Sequence, residues 1–153
     1  MTRNAYDYAS PLGTLRLTAQ NGRLCVAAFV DGPCAENMTS DPVLRAAAAW
    51  LDRLFSGEDP GPLPPYTLRG TPFQTAVWQA LLTVPYGETV SYGALAARCG
   101  RDRRYARAIG AAVGKNPLAI FVPCHRVLGA DGALTGYAYG TARKRALLEL
   151  EQG

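Results

Sequence analysis

The first thirty residues alternate between apolar and polar positions in short runs that turn residues separate. A Pro-Leu-Gly turn covers residues 11–13, and the pair Asn21-Gly22 is a strong hairpin signal. The runs on either side of Asn21-Gly22 are rich in apolar and β-branched residues. We therefore predict an antiparallel β-meander over this part of the chain.

Helical spacing replaces this alternation after residue 40. In "DPVLRAAAAWLDRLFSG", Asp41 can cap a helix, Pro42 suits its first position and Gly57 lies where a helix stops. The apolar residues at helical spacing are Leu44, Ala47, Ala48, Leu51, Leu54 and Phe55. We expect this helix to pack on the meander. The proline-rich "EDPGPLPPY" that follows predicts a boundary near residues 58–66.

The rest of the chain has a mostly helical pattern. "TPFQTAVWQALLTVPYG" predicts a helix that begins at Thr-Pro and ends at Pro85 and Gly87. Its apolar face holds Phe73, Ala76, Val77, Ala80, Leu81 and Val84. "SYGALAARCGRDRRYARAIGAAVGKNP" predicts two short helices around Gly100, with Ser91 as the N-cap of the first, which is the spacing of a helix-turn-helix.

The second of these two helices has an unusual face of small residues. Residues at core spacing are Tyr105, Ala108, Ile109, Ala112 and Val113, and the opposite face holds Ala106, Arg107, Gly110, Ala111 and Gly114. Because glycine inside a helix costs about 1 kcal/mol relative to alanine, something must approach this face closely. Tight helix–helix packing is one interpretation, and a nucleic-acid groove is the other. The surrounding arginines favour nucleic acid: Arg98, Arg101, Arg103, Arg104 and Arg107.

Composition limits the class of protein. The chain has 153 residues, of which 48% are hydrophobic and 18% charged, so it is a globular protein and not a disordered segment. The net charge of +4 permits an anionic partner without requiring one. The first ten residues lack the apolar centre of a signal peptide, and no apolar run is long enough to cross a membrane. We expect a cytoplasmic protein that does not contact membranes, with a monomer as the default.

The cysteines do not form a metal-binding pattern. Cys25, Cys34, Cys99 and Cys124 contain no CxxC pair, and the chain has one histidine. We predict reduced thiols, no metal and no cofactor.

The single histidine, His125, directly follows Cys124 in "IFVPCHRVLG". A thiol is a poor nucleophile until it is deprotonated, and His125 is the only histidine that could act as its base. An isolated Cys-His pair is more often a buried thiol beside a surface imidazole. Residues 120–122 predict a buried strand ending at Pro123, which would place Cys124 at a strand end beside a pocket.

The segment "PCHRV", Pro123 to Val127, resembles the active-site signature of the O6-alkylguanine-DNA alkyltransferases, also called methylated-DNA–protein-cysteine methyltransferases. The resemblance continues in "SPLGTLRL", "FQTAVWQALLTVPYGETVSYGALA", "ARAIGAAVGKNP", "GALTGY" and "LLELE", in that order. It implies an α/β (α+β) fold with two domains. Residues 1–66 would form a ribonuclease H-like sheet-and-helix domain. Residues 67–153 would form a mostly helical domain with the helix-turn-helix.

The resemblance also implies a reaction and its residues. Cys124 would accept an alkyl group, mainly methyl, from the O6 atom of guanine and keep it irreversibly, with O4-methylthymine as a second possible substrate. His125 would act as its base through a water molecule, oriented by Glu151 or, less favourably, by Glu149. The family assigns the protonation of the departing guanine to the tyrosine that matches Tyr92. Asn116 matches the asparagine hinge after the recognition helix.

The partner implied is double-stranded DNA that contains O6-alkylguanine. In the family the small-faced helix enters the minor groove, and Arg107 matches the arginine that replaces the flipped nucleotide. The residues that we expect to bind DNA are Arg107, Ala106, Gly110, Ala111, Gly114, Arg103 and Arg104. Weak sequence preference should follow, because the minor groove carries a degenerate code.

The substrate pocket departs from the commonest family pattern, in which this loop ends as Tyr-Ser-Gly-Gly. Tyr137 matches a pocket tyrosine, and Ala138 and Tyr139 stand where small residues usually leave room; Pro123 completes the pocket. We predict that Tyr139 narrows the pocket and favours methyl over benzyl groups. Tyr105 also departs from the family, which often has alanine there, and its spacing predicts a residue that fills space on the core face.

Three other functions are compatible with parts of this pattern. An alkyltransferase-like protein would bind lesions without repairing them, but those proteins lack the acceptor cysteine. A helix-turn-helix regulator with a redox-sensing thiol would need a defined operator. A Cys-His hydrolase would turn over repeatedly and ignore DNA, so stoichiometry separates it from a transferase that keeps the alkyl group.

Overall fold

The computed structural model describes residues 3–35, 38–129, 131–134 and 136–153. The chain forms two compact units. The first contains Met1–Leu68, Pro117–Phe121 and Gly153, and the second contains Arg69–Asn116 and Val122–Gln152. The sequence predicted a single boundary after residue 66. In the structure, the later segment Pro117–Phe121 also belongs to the first unit.

The first unit contains the predicted meander. Strands β1 (Arg3–Ser10), β2 (Gly13–Gln20) and β3 (Arg23–Val30) pair antiparallel in the order β1-β2-β3. Asn21 and Gly22 have φ values of 54° and 75°, so both central residues of the hairpin turn adopt the left-handed conformation that an Asn-Gly pair favours. The alternation of the strands places one of their faces in the core.

Helix α1 (Pro42–Phe55) covers the sheet of this unit. The Asp41 side chain accepts a hydrogen bond from the Val43 N–H at 2.9 Å, and Pro42 occupies the first turn, as predicted. Leu44, Leu51 and Leu54 are fully buried. This helix therefore ends and packs where its sequence indicated.

The segment Pro117–Phe121 pairs with β3. The Ala27 N–H donates to the Pro117 carbonyl at 2.8 Å, and the Ala119 N–H donates to the Ala27 carbonyl at 2.9 Å, which makes a short parallel bridge. The predicted strand at residues 120–122 is wrong, although these residues are buried. The pairing is already made at residues 117–119, and the chain then turns at Ile120, whose φ of 74° is rare for a β-branched residue.

The second unit is mostly helical. Helix α2 (Pro72–Leu81) begins with a complete capping box between Thr71 and Gln74. It ends four residues before the predicted Pro85, because the N–H groups of Thr83 and Val84 turn back to carbonyls three residues earlier. In the described part of the chain, no helix is long and apolar enough to cross a membrane.

The helix-turn-helix follows α2. Helix α3 (Tyr92–Arg98) is capped by Ser91, and helix α4 (Ala106–Gly114) follows a 3-10 turn at Arg103–Tyr105. Strands β4 (Val90–Ser91) and β5 (Val127–Leu128) form a short parallel pair, and helix α5 (Thr141–Gln152) closes the unit. Helix α4, the Cys124 turn and α5 thus belong to one unit.

Candidate active site

The backbone on both sides of Cys124 is tightly turned. Pro123 has φ −80° and ψ 63°, and the Cys124 N–H donates to the Val122 carbonyl at 2.8 Å, which is an inverse γ-turn. A 3-10 turn, Cys124–Arg126, follows at once. The Asn116 side-chain amide donates to the same Val122 carbonyl at 2.8 Å and to the Cys124 sulfur at 3.2 Å. Cys124 therefore sits at the start of a turn, not at a strand end.

The Cys124 thiol is only 6% exposed. Burial raises the pKa of Cys124, and the hydrogen bond from Asn116 and the charge of Lys144 lower it by less. The resting group at neutral pH is thus a thiol. Any base that creates the thiolate must lie inside the site, because solvent hardly reaches the sulfur.

The His125 ring is fully buried and binds Glu151. Nε2 lies 2.7 Å from Glu151 Oε2, whereas Nδ1 has no hydrogen-bond partner among the described residues. Burial lowers the pKa of His125 by more than Glu151 raises it, so we assign a neutral ring with its proton on Nε2. Nδ1 then carries the lone pair and can accept a proton. Glu149, the other candidate carboxylate, is exposed.

Arg126 is a member of this site that the sequence analysis missed. Its Nε donates to Glu151 Oε1 at 2.7 Å, its Nη2 to Oε2 at 3.0 Å and its Nη1 to the Val84 carbonyl at 2.8 Å. Burial alone would raise the pKa of Glu151, but the hydrogen bonds from His125 and Arg126 lower it to about 2. Glu151 is therefore ionised. A signal was available, since an arginine inside an apolar segment requires a buried partner.

Tyr137 and Tyr139 lie beside the sulfur. Their rings meet edge to face, with centroids 5.9 Å apart. Burial raises the pKa of both tyrosines, and a thiolate at Cys124 would raise it further. The Tyr137 hydroxyl is close enough to lower the pKa of Cys124, yet it forms no hydrogen bond of regular geometry with a described residue. Ala138 between them is exposed.

A second missed residue is Lys144 on α5, which has no exposed surface. Burial lowers the pKa of Lys144, and a thiolate at Cys124 would raise it by less. Lys144, Leu147 and Glu151 are the buried residues of α5, at spacings of three and four. That spacing was visible in the sequence and marks the lysine as inward-facing.

Helix α4 exposes most of its small face. Arg107, Ala111 and Gly114 are exposed, and Ala106 and Gly110 are partly buried. The core side is formed by Ile109, Ala112 and Val113. No helix therefore covers the small face at these three exposed positions, which argues against helix–helix packing as its purpose.

The predicted core positions Tyr105 and Ala108 are wrong, because both residues are exposed. Tyr105 belongs to the 3-10 turn, whose three residues per turn rotate it away from the buried stripe of α4. Its ring stacks instead on Arg101, with the guanidinium carbon 5.0 Å from the ring centroid. Phe73 lies 5.6 Å from the same guanidinium. Ala108 lies at the edge of the stripe that Ile109 and Ala112 form.

Tyr92 lies at the first position of α3 and faces the recognition helix. A Cβ atom at Gly110 would stand 3.6 Å from the Tyr92 ring, so the two helices touch at this glycine. An open groove of about 730 Å³ is lined by Ser91, Tyr92, Gly93, Ala94, Ala97, Arg103 and Ala106. Arg104 is paired with Asp102 at 2.8 Å. Of the arginines expected to bind DNA, Arg103 lines this groove and Arg104 is paired with an acid near it in sequence.

Among the residues that the structure describes, no three side chains of His, Cys, Asp or Glu lie together in a way that could hold a metal ion.

Comparisons with known proteins identify the family. A family model described as "6-O-methylguanine DNA methyltransferase, DNA binding domain" matches residues 72–153. The methylated-DNA–protein-cysteine methyltransferase of Mycobacterium bovis is 48% identical over 147 residues, which cover 94% of this chain and 88% of that protein. The corresponding protein of Methanosarcina barkeri is 41% identical over 152 residues, covering 94% of this chain and 93% of that protein.

The fold agrees with the same relationship. A crystal structure of Mycobacterium tuberculosis OGT in complex with DNA has a TM-score of 0.86 to this chain, with 46% identity, and covers 97% of this chain and 92% of that one. The α+β class expected from the sequence is confirmed. This chain belongs to the methylated-DNA–protein-cysteine methyltransferases, the enzymes that repair O6-methylguanine in DNA.

Proposed function

We propose that Cys124 is the residue of this methyltransferase that accepts the alkyl group of O6-alkylguanine in double-stranded DNA. The observation that carries the proposal is the buried thiol directly followed by His125, whose ring binds an ionised Glu151 at 2.7 Å. The sulfur attacks the carbon bound to O6 in line. A sulfur–carbon bond forms, the carbon–O6 bond breaks, and its electron pair stays with guanine.

His125 takes the thiol proton through a water molecule at Nδ1, the ring nitrogen that has no partner among the described residues. Glu151 keeps the proton on Nε2 and stabilises the imidazolium that forms. Tyr92 donates a proton to the departing guanine, which would otherwise leave as an anion. His125 then gives its proton to water and Tyr92 regains one from water, so the net change is one proton moved from sulfur to guanine. The thioether product has no ready leaving group, so each molecule acts once.

The small face of α4 binds the minor groove, and Arg107 enters the stack in place of the damaged nucleotide. The exposure of Arg107 and Ala111 supports this contact. The nucleotide must leave the helix because the O6 substituent of a stacked guanine lies in the major groove, out of reach of a buried thiol. Gly114, where an added Cβ atom would meet nothing, lets the backbone approach DNA, and Arg103 with Arg104 would meet phosphates. Gly110 is expected on the same surface, although its Cβ position faces the Tyr92 ring.

The flipped base enters the pocket of Tyr137, Ala138, Tyr139 and Pro123. Asn116 acts as a hinge by holding the turn before Cys124. The preference for methyl groups, O4-methylthymine as a second substrate, a monomeric state and a cytoplasmic location stay predictions. No cofactor enters this reaction, because all its proton transfers involve side chains of the chain or water.

The mass of the peptide that contains Cys124 tests the acceptor. After incubation with a duplex carrying one O6-methylguanine, we expect one methyl group on this peptide. Cys124→Ser should bind the duplex and gain no methyl group, and Cys99→Ser, which removes a partly exposed thiol, should react as the parent protein does. A methyl group on another residue, or transfer by Cys124→Ser, would refute the assignment.

A further inference from the structure

Glu151 occupies an unfavourable place for a carboxylate. It lies in the last turn of α5, which ends at Gln152, and the free carbonyl groups of a helix C-terminus repel negative charge. The His125 ring engages only one carboxylate oxygen, Oε2. One hydrogen bond to a rotating carboxylate does not fix the plane of the histidine ring. Another group must therefore hold Glu151.

Arg126 supplies that group. Its Nε and Nη2 bind the two oxygens of Glu151 side by side, at 2.7 and 3.0 Å, so the carboxylate cannot rotate. Its remaining Nη1 donates to the Val84 carbonyl just after α2, at 2.8 Å. The residues Arg126 and Glu151 are 8% and 5% exposed, so water does not compete for these bonds. This arrangement joins three segments of the second unit: the 3-10 turn with Arg126, α5 with Glu151 and the residues just after α2 with Val84.

We propose that Arg126 is a positioning residue for alkyl transfer. Its guanidinium clamps the Glu151 carboxylate, so that the negative charge of Glu151 is divided between Arg126 and the His125 ring. The inference rests on the proposed function for the role of Cys124. It adds a residue that touches neither the thiol nor the substrate. Arg126 acts by holding Glu151 and by its own positive charge near the His125 ring.

Two consequences follow from the clamp. The fixed carboxylate holds the proton of His125 on Nε2, which leaves the Nδ1 lone pair ready for the thiol proton. The guanidinium also takes up part of the carboxylate charge, so the imidazolium is stabilised less than it would be by a bare glutamate. The thiol therefore stays protonated in the resting protein. In a protein that acts once, this protects Cys124 from unrelated electrophiles.

Three charged side chains reach His125, from α5 and from the 3-10 turn. Lys144 on α5 and Arg126 on the 3-10 turn are cationic and lower the pKa of His125. Glu151 on α5 is the anion that raises it. The balance between one carboxylate and two cations thus sets the protonation of the ring, and Arg126 is the cation bonded to that carboxylate.

Alkylation of Cys124 by iodoacetamide measures this balance without DNA. Peptide-resolved mass spectrometry over a pH series gives the rate at Cys124 separately from the three other cysteines. In Arg126→Met, Glu151 no longer shares its charge with a guanidinium, so it should stabilise the imidazolium of His125 more strongly. The pH midpoint of Cys124 alkylation should therefore fall by about one unit. The rate at pH 7 should rise roughly threefold, less than the tenfold gain in thiolate, because a thiolate of lower pKa is a weaker nucleophile.

Arg126→Lys is the second variant. It tests the positioning role of Arg126 even if Arg126→Met does not fold. Lysine keeps the charge but cannot bind both oxygens side by side. We expect an unchanged iodoacetamide midpoint and methyl transfer from DNA slowed by about tenfold or more. An unchanged midpoint in Arg126→Met, or parental methyl transfer by Arg126→Lys, would overturn the proposal. Absence of methyl transfer in the parent protein would instead refute the proposed function.

Discussion

The Cys124 thiol lies in surroundings that disfavour its reactive form at rest. Burial raises its pKa, and the Asn116 amide at 3.2 Å offsets only part of that effect. The His125 base is held neutral beside an ionised Glu151, so it can accept one proton and no more. We therefore expect Cys124 to react well only with a substrate that takes up part of the negative charge of the sulfur in the transition state.

Tyr139 should limit the size of the alkyl group that reaches Cys124. Its ring is partly buried and meets Tyr137 beside the sulfur. We expect O6-benzylguanine to inactivate the parent protein slowly and Tyr139→Gly about tenfold faster or more, because glycine removes the whole ring. The measurement is the loss of methyl-transfer capacity with time.

Tyr139→Phe is the matched control for this prediction. It keeps the bulk of the ring and removes only the hydroxyl group, so its inactivation should remain as slow as that of the parent protein. If the parent protein is inactivated as fast as Tyr139→Gly, Tyr139 does not narrow the pocket.

At the scale of the element, the small face of α4 should tolerate no large side chain. Ala111 is exposed, so Ala111→Leu should leave the fold intact and obstruct the approach to DNA. We expect duplex affinity to fall by about tenfold or more, which is ~1.4 kcal/mol. Fluorescence anisotropy with a labelled lesion duplex at fixed salt measures it.

Ala49→Leu is the control for the effect of an added leucine. Ala49 is also an exposed alanine of a helix, but it belongs to α1 in the first unit. Its duplex affinity should equal that of the parent protein. Equal affinity for Ala111→Leu and the parent protein would show that DNA does not contact this face of α4.

Elements were predicted well where their signals are local. Asp41, Thr71 and Ser91 cap helices through hydrogen bonds to backbone groups two or three residues away, so a short window of sequence contains the whole interaction. Residues 120–122 misled the prediction because a buried apolar run is common to strands and to buried turns. Which residues of this segment pair with a strand depends on Ala27 in β3, which bridges to Leu118 and is far away in sequence.

The site was predictable only in part for the same reason. Cys124, His125 and Glu151 were expected from the family resemblance, and the structure joins two of them, His125 and Glu151, at 2.7 Å. Arg126 was missed because its meaning depends on a carboxylate 25 residues away. Lys144 was missed because a lysine is normally exposed, and only the spacing of α5 identified it as buried.

At the scale of the whole molecule, the chain leaves the second unit and returns to it just before Cys124. Asn116 and Val122 are the residues on either side of Pro117–Phe121, which belong to the first unit. The Asn116 amide donates to the Val122 carbonyl at 2.8 Å, so a hydrogen bond joins the two ends of this segment. The recognition helix α4 and the Cys124 turn are thus connected through a segment that pairs with β3.

The central claim is that the protein keeps the alkyl group on Cys124 and is consumed by one reaction. The most direct test counts the O6-methylguanine lesions repaired per protein molecule when the lesion duplex is in excess, followed until the reaction stops. We predict a plateau at one lesion per molecule, and none for Cys124→Ser. Continued repair beyond one lesion per molecule, or tight binding of the duplex without any repair, would contradict the account.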